Sequence, residues 1–185
     1  MAFLVGACLQ AMPMTRDPQK GHAALRRGRW SQAGADYFLT ICTEGKQAGL
    51  CSAPVAGNIL HEAHAMQTDG SWAVRSATIM PDHAHLLITL GQRLSLGRTL
   101  QRLKAKTSAT LRRHGLSWER GFFDRQLQPD DDCLAVFLYL YLNPYRAGLV
   151  AKEEKWPHYF CCQDDWSWFS SYLDQDMPPP EWLAR

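Results

Sequence analysis

Apolar and polar positions alternate from Asp36 to Thr43 (DYFLTICT), where β-branched and aromatic side chains dominate, and this period of two predicts a half-buried strand. From Pro54 to Met66 the period changes. Val55, Ile59, Leu60, Ala63 and Met66 fall near helical spacing, and Asp69-Gly70 supplies a turn at the end. Two further strand-like runs, Trp72 to Ile79 and His83 to Leu90, flank Met80-Pro81-Asp82, whose proline and aspartate suit a tight reversal, so a hairpin is expected. Leu94 to Arg113 carries Leu94, Leu100, Leu103, Ala109 and Leu111 with bases between them and stops near Gly115, the pattern of a long basic helix. A fourth strand is predicted over Trp118 to Leu127. Asp130, Asp131 and Asp132 then place carboxylates at the start of an apolar run reaching Leu142, which predicts a third helix ended by Pro144 and Gly148.

The order β-α-β-β-α-β-α implies an α+β fold, a ferredoxin-like or RRM-like antiparallel sheet with an appended helix and with the helices packed on one face. These elements delimit a domain over residues 36–150. Residues 1–35 lack a clear period and hold a short basic arm, Arg26, Arg27 and Arg29. Residues 151–185 form an acidic tail in which Pro178-Pro179-Pro180 predicts a stiff, surface-lying segment.

Composition narrows the class. With 185 residues, 46% hydrophobic and 21% charged, the chain is globular rather than fibrous or disordered. Six cysteines (Cys8, Cys42, Cys51, Cys133, Cys161, Cys162) show no CxxC spacing, which argues for reduced thiols and a cytoplasmic location and against a zinc ribbon. The apolar start lacks a basic region and is too short for a signal peptide, and no run is long enough to span a membrane. Net charge is only +2, but from Arg93 to Arg125 nine basic residues face two acidic ones. That local surplus suits a polyanion, although a solvated helix face carries charge in the same way.

Two pairs of residues carry candidate chemistry. His83-Ala84-His85 puts two imidazoles on one face of a strand, where they can meet one ion. Tyr139 and Asn143, four residues apart, share one face of the third helix. A carboxamide oxygen is a hard acceptor, so two neutral imidazoles with Asn143 suit Mg2+ or Mn2+ and leave positions open for phosphate oxygens. A phenol needs a nearby cation or base before it can act as a nucleophile. On spacing alone the histidines can equally be structural, and Phe137, Tyr139 and Tyr141 can equally be core. His61-Glu62-Ala63-His64 misses the HExxH spacing by one residue, and Cys161-Cys162 lacks the spacer of a zinc deaminase.

Four separated blocks change that balance. Arg27-Gly28-Arg29-Trp30-Ser31 with Tyr37-Phe38-Leu39-Thr40, then Met80-Pro81-Asp82-His83-Ala84-His85-Leu86-Leu87, then Gly121-Phe122-Phe123-Asp124-Arg125, then Tyr139 through Val150 with Asn143-Pro144 inside it, follow one another in order. Together they resemble the REP-associated tyrosine transposases, part of the wider HUH single-strand transposases. The resemblance implies a metal-dependent enzyme that cleaves and rejoins single-stranded DNA at structured repeats. It maps the metal-binding pair onto His83 and His85, a third ligand onto Asn143, and a nucleophile forming a 5′-phosphotyrosine link onto Tyr139. Tyr141 lies two residues on and points to another helix face, while Tyr145 stands where relatives usually carry a small aliphatic residue.

The implied partner is single-stranded DNA with hairpin-forming repeats, bound by a monomer or a dimer. Arg98, Arg102, Lys104, Lys106, Arg112, Arg113 and Arg125 are the expected phosphate contacts, and Arg26, Arg27 and Arg29 the expected grip on a hairpin stem. Trp30, Trp72, Trp118 and Trp166 are read as core more readily than as base-stacking residues. A catalytically inactive repeat-binding regulator on the same fold is the alternative.

Overall fold

Alternation along the chain becomes a five-stranded antiparallel sheet in the computed structural model, which describes residues 31–183. The central strands are β1 (Asp36–Cys42), β2 (Trp72–Ile79) and β3 (His83–Leu90), with β3 between the other two. β4 (Phe123–Gln126) adds to β1 and β5 (Tyr159–Cys161) adds to β2, giving the order β4-β1-β3-β2-β5. The first four strands follow the split βαβ arrangement read from the sequence. β5 was not foreseen, because its three residues are all half-buried and too few to show a period.

β1 and β3 each serve two cores, since successive side chains point to opposite faces. Tyr37, Leu39 and Ile41 of β1 and Ala84, Leu86, Ile88 and Leu90 of β3 meet α1 (Ala53–Thr68) and α2 (Leu96–Arg113). Phe38 and Leu87 face the other way and are covered by α3 (Cys133–Arg146) and α4 (Gln163–Phe169). Packing on one face therefore holds for α1 and α2, while the appended helix takes the opposite face. α3 is apolar nearly all round, with Val136, Phe137, Leu138, Leu140, Tyr141 and Leu142 all buried, so it needs cover on two sides. The sheet supplies one side and the C-terminal segment the other.

Three element boundaries differ from expectation. Of the predicted fourth strand, Phe123–Gln126 forms the ladder with β1, while the stretch before it runs over α2 and touches the end of β1 through the Glu119 N–H on the Cys42 carbonyl and an isolated Thr43–Trp118 bridge. There the Trp118 indole donates to Thr107 Oγ1 at 2.9 Å and Lys104 Nζ donates to the carbonyls of Glu119 (2.8 Å) and Gly121 (2.5 Å). The third helix passes through Pro144 and ends at Arg146. A proline there deprives only one carbonyl of its donor, and the stop is made by Gly148 at φ 66°. Gly148 N–H bonds the Tyr145 carbonyl (3.0 Å) and Leu149 N–H the Pro144 carbonyl (2.9 Å), the two-bond closure of a Schellman end. At the other end Asp132 caps α3 by accepting the Ala135 N–H at 3.3 Å.

The segment after Val150 is built into the fold. Beyond β5, Phe169 of α4 is fully buried, 5.5 Å from the Phe137 ring and 5.7 Å from Tyr141. The prolines expected in a surface tail instead lead into α5 (Pro180–Leu183), whose Trp182 and Leu183 pack on the same core. An ion network fastens this segment. The half-buried Arg75 donates to Asp165 from Nε (2.9 Å) and Nη2 (2.6 Å) and to Asp36 from Nη1 (2.5 Å). Burial works against the charge on Asp165, but bonds from Arg75, Cys162 and Trp168 outweigh it and hold the carboxyl below its ordinary value.

That depressed value sets the sign of a pH dependence. The stabilisation is present above the unfolded carboxyl value and is lost as pH falls through the folded one. Asp165→Asn is expected to cost about 3 kcal/mol at neutral pH, with the gap to wild type narrowing below about pH 4. Urea melts across pH check this, and an equal gap in acid and at neutrality would refute the assignment. Among the described residues no helix is long and apolar enough to cross a membrane.

Candidate active site

β3 opens on His83 directly after the hairpin, which the Met80 N–H closes on the His83 carbonyl at 2.8 Å. Strand parity sends His83 and His85 to the α3 face together. Their Nε2 atoms converge to 3.0 Å, while each Nδ1 is held from behind, His83 by Asp82 Oδ1 (2.6 Å) and His85 by Thr40 Oγ1 (2.8 Å). An ionised carboxylate only accepts, so His83 donates from Nδ1 and, when neutral, keeps its lone pair at Nε2. His85 is 1% exposed and stacks on Phe38, centroids 5.4 Å apart. Burial, then the charges of His83 and Lys46, hold it well below the usual imidazole range, so it stays neutral and able to ligate.

α3 carries one polar stripe, and its Tyr139 meets this pair at His85. Between Ala135 and Arg146, Tyr139, Asn143 and Arg146 are the residues not fully buried, at the i, i+4, i+7 spacing of one helix face. The Tyr139 ring stands edge-on to His85 at 5.3 Å and to Phe38 at 5.5 Å. Asn143 Nδ2 donates to the Tyr139 carbonyl at 3.4 Å. The rival tyrosines turn away: Tyr141 Oη donates to the Asp176 carbonyl (2.7 Å) and Tyr145 Oη to the Glu154 carbonyl (2.9 Å). Burial pushes the Tyr141 phenol well above its ordinary value, which makes it a poor nucleophile.

Among the described residues no group of three or more His, Cys, Asp or Glu gathers into a metal-binding cluster, so an ion at this pair needs a ligand of another type. Two imidazole nitrogens 3.0 Å apart are close enough to ligate one divalent cation together. The backing of each ring by an oxygen matches the outer shell that orients ligating histidines. With its amide nitrogen on the Tyr139 carbonyl, the Asn143 amide oxygen takes part in none of the hydrogen bonds described for this stripe. Thr40 and Phe38 escaped the sequence reading as parts of the site, since only the β1–β3 register, Thr40 opposite His85, brings them there. Asp82 was read as a turn residue, and its place next to His83 was the available signal.

The expected DNA contacts divide. Arg26, Arg27 and Arg29 lie outside the described residues. Arg98, Arg112 and Arg113 are exposed on α2, which covers the sheet face opposite the histidines. Arg102 pairs with Asp69 (2.6 Å), Lys106 with Glu62 (2.7 Å) and Arg125 with Asp131, while Lys104 serves the two carbonyls described above. A groove of about 750 Å³ runs between α2 and residues 117–124, with Arg112, Arg120, Trp118 and Phe122 on its walls. Of the tryptophans, Trp72 is buried with its N–H on the Ala63 carbonyl, and Trp118 and Trp166 pack on the two cores. His64 bonds the Leu60 carbonyl and packs on Phe160, and His61 is exposed. If the three exposed arginines meet phosphates, replacing all three by glutamine should lessen the slope of log K against log salt for a single strand by roughly 2. Binding titrations over a salt series measure it, and an unchanged slope would remove α2 from the DNA path.

Three comparisons bear on this geometry. The family described as "Transposase IS200 like" matches residues 32–127, just over half of the chain. Among solved structures, a REP-associated tyrosine transposase bound to a REP hairpin is similar at a TM-score of 0.61 and 18% identity, over 71% of this chain and 79% of that one. A candidate transposase from Deinococcus radiodurans aligns at a TM-score of 0.46 and 15% identity, over 68% of this chain and 98% of that one. Among curated proteins no sequence matches significantly.

Proposed function

Because the chain belongs to the IS200-like transposases, we propose that it is a tyrosine transposase of the REP-associated kind, cleaving and rejoining single-stranded DNA at hairpin-forming repeats. The observation that carries this reading is the Tyr139 ring standing 5.3 Å from His85, whose Nε2 converges on that of His83. The four motif blocks support the REP-associated subtype, and so does the fold shared with a hairpin-bound member.

His83, His85 and Asn143 are the residues that would hold Mg2+ or Mn2+, and a bound divalent ion would polarise the scissile phosphate as a Lewis acid. Tyr139 gives up its phenolic proton and its oxygen forms a bond to phosphorus. The bond from phosphorus to the 3′ oxygen breaks in line, and the leaving strand takes a proton as a 3′-hydroxyl. The phosphotyrosine ester conserves the bond energy until a 3′-hydroxyl attacks it and returns the phenol. Asp82 and Thr40 orient the imidazoles, and Phe38 packs against both the His85 and the Tyr139 rings. The Tyr139 ring meets His85 within one chain, which supports cleavage by a single copy, and we place the protein in the cytoplasm.

The test is covalent capture. Single strands carrying the inverted repeats that flank the gene are incubated with the full chain and Mn2+, and the adduct is located by peptide mass. A phosphotyrosyl peptide containing Tyr139 is expected. Tight binding of the same strands with no adduct would favour the inactive repeat-binding regulator.

A further inference from the structure

β4 is the outer strand beside β1, and its side chains alternate like those of the others. Thr40 lies opposite both His85 on β3 and Phe123 on β4, so His85, Thr40 and Phe123 form one row across the sheet on the α3 face. At the ordinary spacing of neighbouring strands, Phe123 is roughly 10 Å from His85 along that row. Its ring meets Phe38 at 6.4 Å, and Phe38 in turn touches Tyr139 at 5.5 Å, so two ring contacts connect Phe123 to the phenol.

Phe123 is nevertheless 49% exposed. Its neighbour Phe122 points to the opposite face and packs on the larger core, so the fold already uses one of the two aromatics. Arg125 follows two residues along on the same face as Phe123, opposite Phe38, and its guanidinium is held by Asp131. A half-exposed planar ring with an arginine two residues along the same face, on an outer strand of the described sheet and two ring contacts from the nucleophile, matches what an unpaired nucleobase and its phosphate require.

We propose that Phe123 is a stacking platform for an unpaired base next to the cleaved linkage, with Arg125 on the adjoining phosphate. This deepens the reading of the chain as a single-strand transposase and rests on it. Stacking tolerates any base, so Phe123 supplies affinity and strand position while leaving sequence choice to other contacts. The strand then rounds the β4 edge, which joins the groove along α2 to the catalytic face.

The experiment uses the full chain and a short oligothymidylate carrying one 5-iodouracil, irradiated in the presence of Mn2+ and digested for peptide mapping. A photocrosslink to Phe123 is expected. Phe123→Ala and Phe123→Leu should each weaken binding of the oligonucleotide about tenfold, with melting temperatures close to wild type, and Phe123→Trp should restore it. An abasic residue at the crosslinked position should bring wild type down to the level of the variants. Leucine keeps an apolar contact with Phe38 but offers no planar face. Wild-type affinity in Phe123→Leu, or crosslinks that all map elsewhere, would therefore overturn the proposal. A crosslink at Phe123 with no adduct at Tyr139 on the repeat-bearing strands would sink the transposase reading and leave the platform standing. An adduct at Tyr139 on those strands without a crosslink at Phe123 would do the reverse, and failure of both oligonucleotides to bind would end both.

Discussion

Tyr139→Phe is expected to reduce covalent capture of single-stranded DNA by more than about 10⁴-fold, because no other group can form the ester once the phenolic oxygen is gone. Binding should survive, since the ring itself remains and keeps its contacts with His85 and Phe38. Tyr141→Phe and Tyr145→Phe are the matched controls. Their hydroxyls satisfy the Asp176 and Glu154 carbonyls, so losing either should cost about 1 kcal/mol of stability and leave capture intact. Capture that persists in Tyr139→Phe and disappears in Tyr141→Phe would move the nucleophile to the other face of α3. That outcome would require the buried Tyr141 to swing out of the aromatic cluster it shares with Tyr159 and Phe169.

The second large effect belongs to the imidazoles. His83→Ala and His85→Ala should each abolish measurable Mn2+ binding by calorimetry and, with it, capture, because one neutral imidazole and a carboxamide make a weak site. The oxygens behind the rings have a graded effect. Asp82→Asn and Thr40→Val should weaken Mn2+ binding about 10- to 100-fold by freeing the ring each one orients. Thr40→Val is the sharper of these two, because a valine fills the same space on β1 and changes only the bond to His85 Nδ1. If Mn2+ affinity is untouched by all four replacements, the ion sits elsewhere and the chemistry assigned to this pocket fails.

The legible parts of the fold share a property: each is written in neighbouring residues. β2 and β3 were readable to the residue because alternation and the Pro81-Asp82 reversal are local signals. The pairing of His83 with His85, and of Tyr139 with Asn143, needs only the period of a strand or a helix. Pro144 misled for the same reason, since a proline reads locally as a stop while its cost in the last turn is one hydrogen bond that the Gly148 closure outlives. The C-terminal segment was read by its charge as a separate tail, although its aromatic residues were the half of a core whose other half lies on α3.

By itself the sequence determined the strand and helix periods, the two polar pairs and the basic helix, because hydrophobic period and residue spacing are properties of a few consecutive positions. Only the tertiary structure decided that α3 lies on the face away from α2, that Thr40 backs His85, that Tyr139 faces the imidazoles while Tyr141 and Tyr145 do not, and that Phe123 stands uncovered beside them. Each of these depends on strand register and on which sheet face a helix covers, which are set by burial summed over residues far apart in the chain.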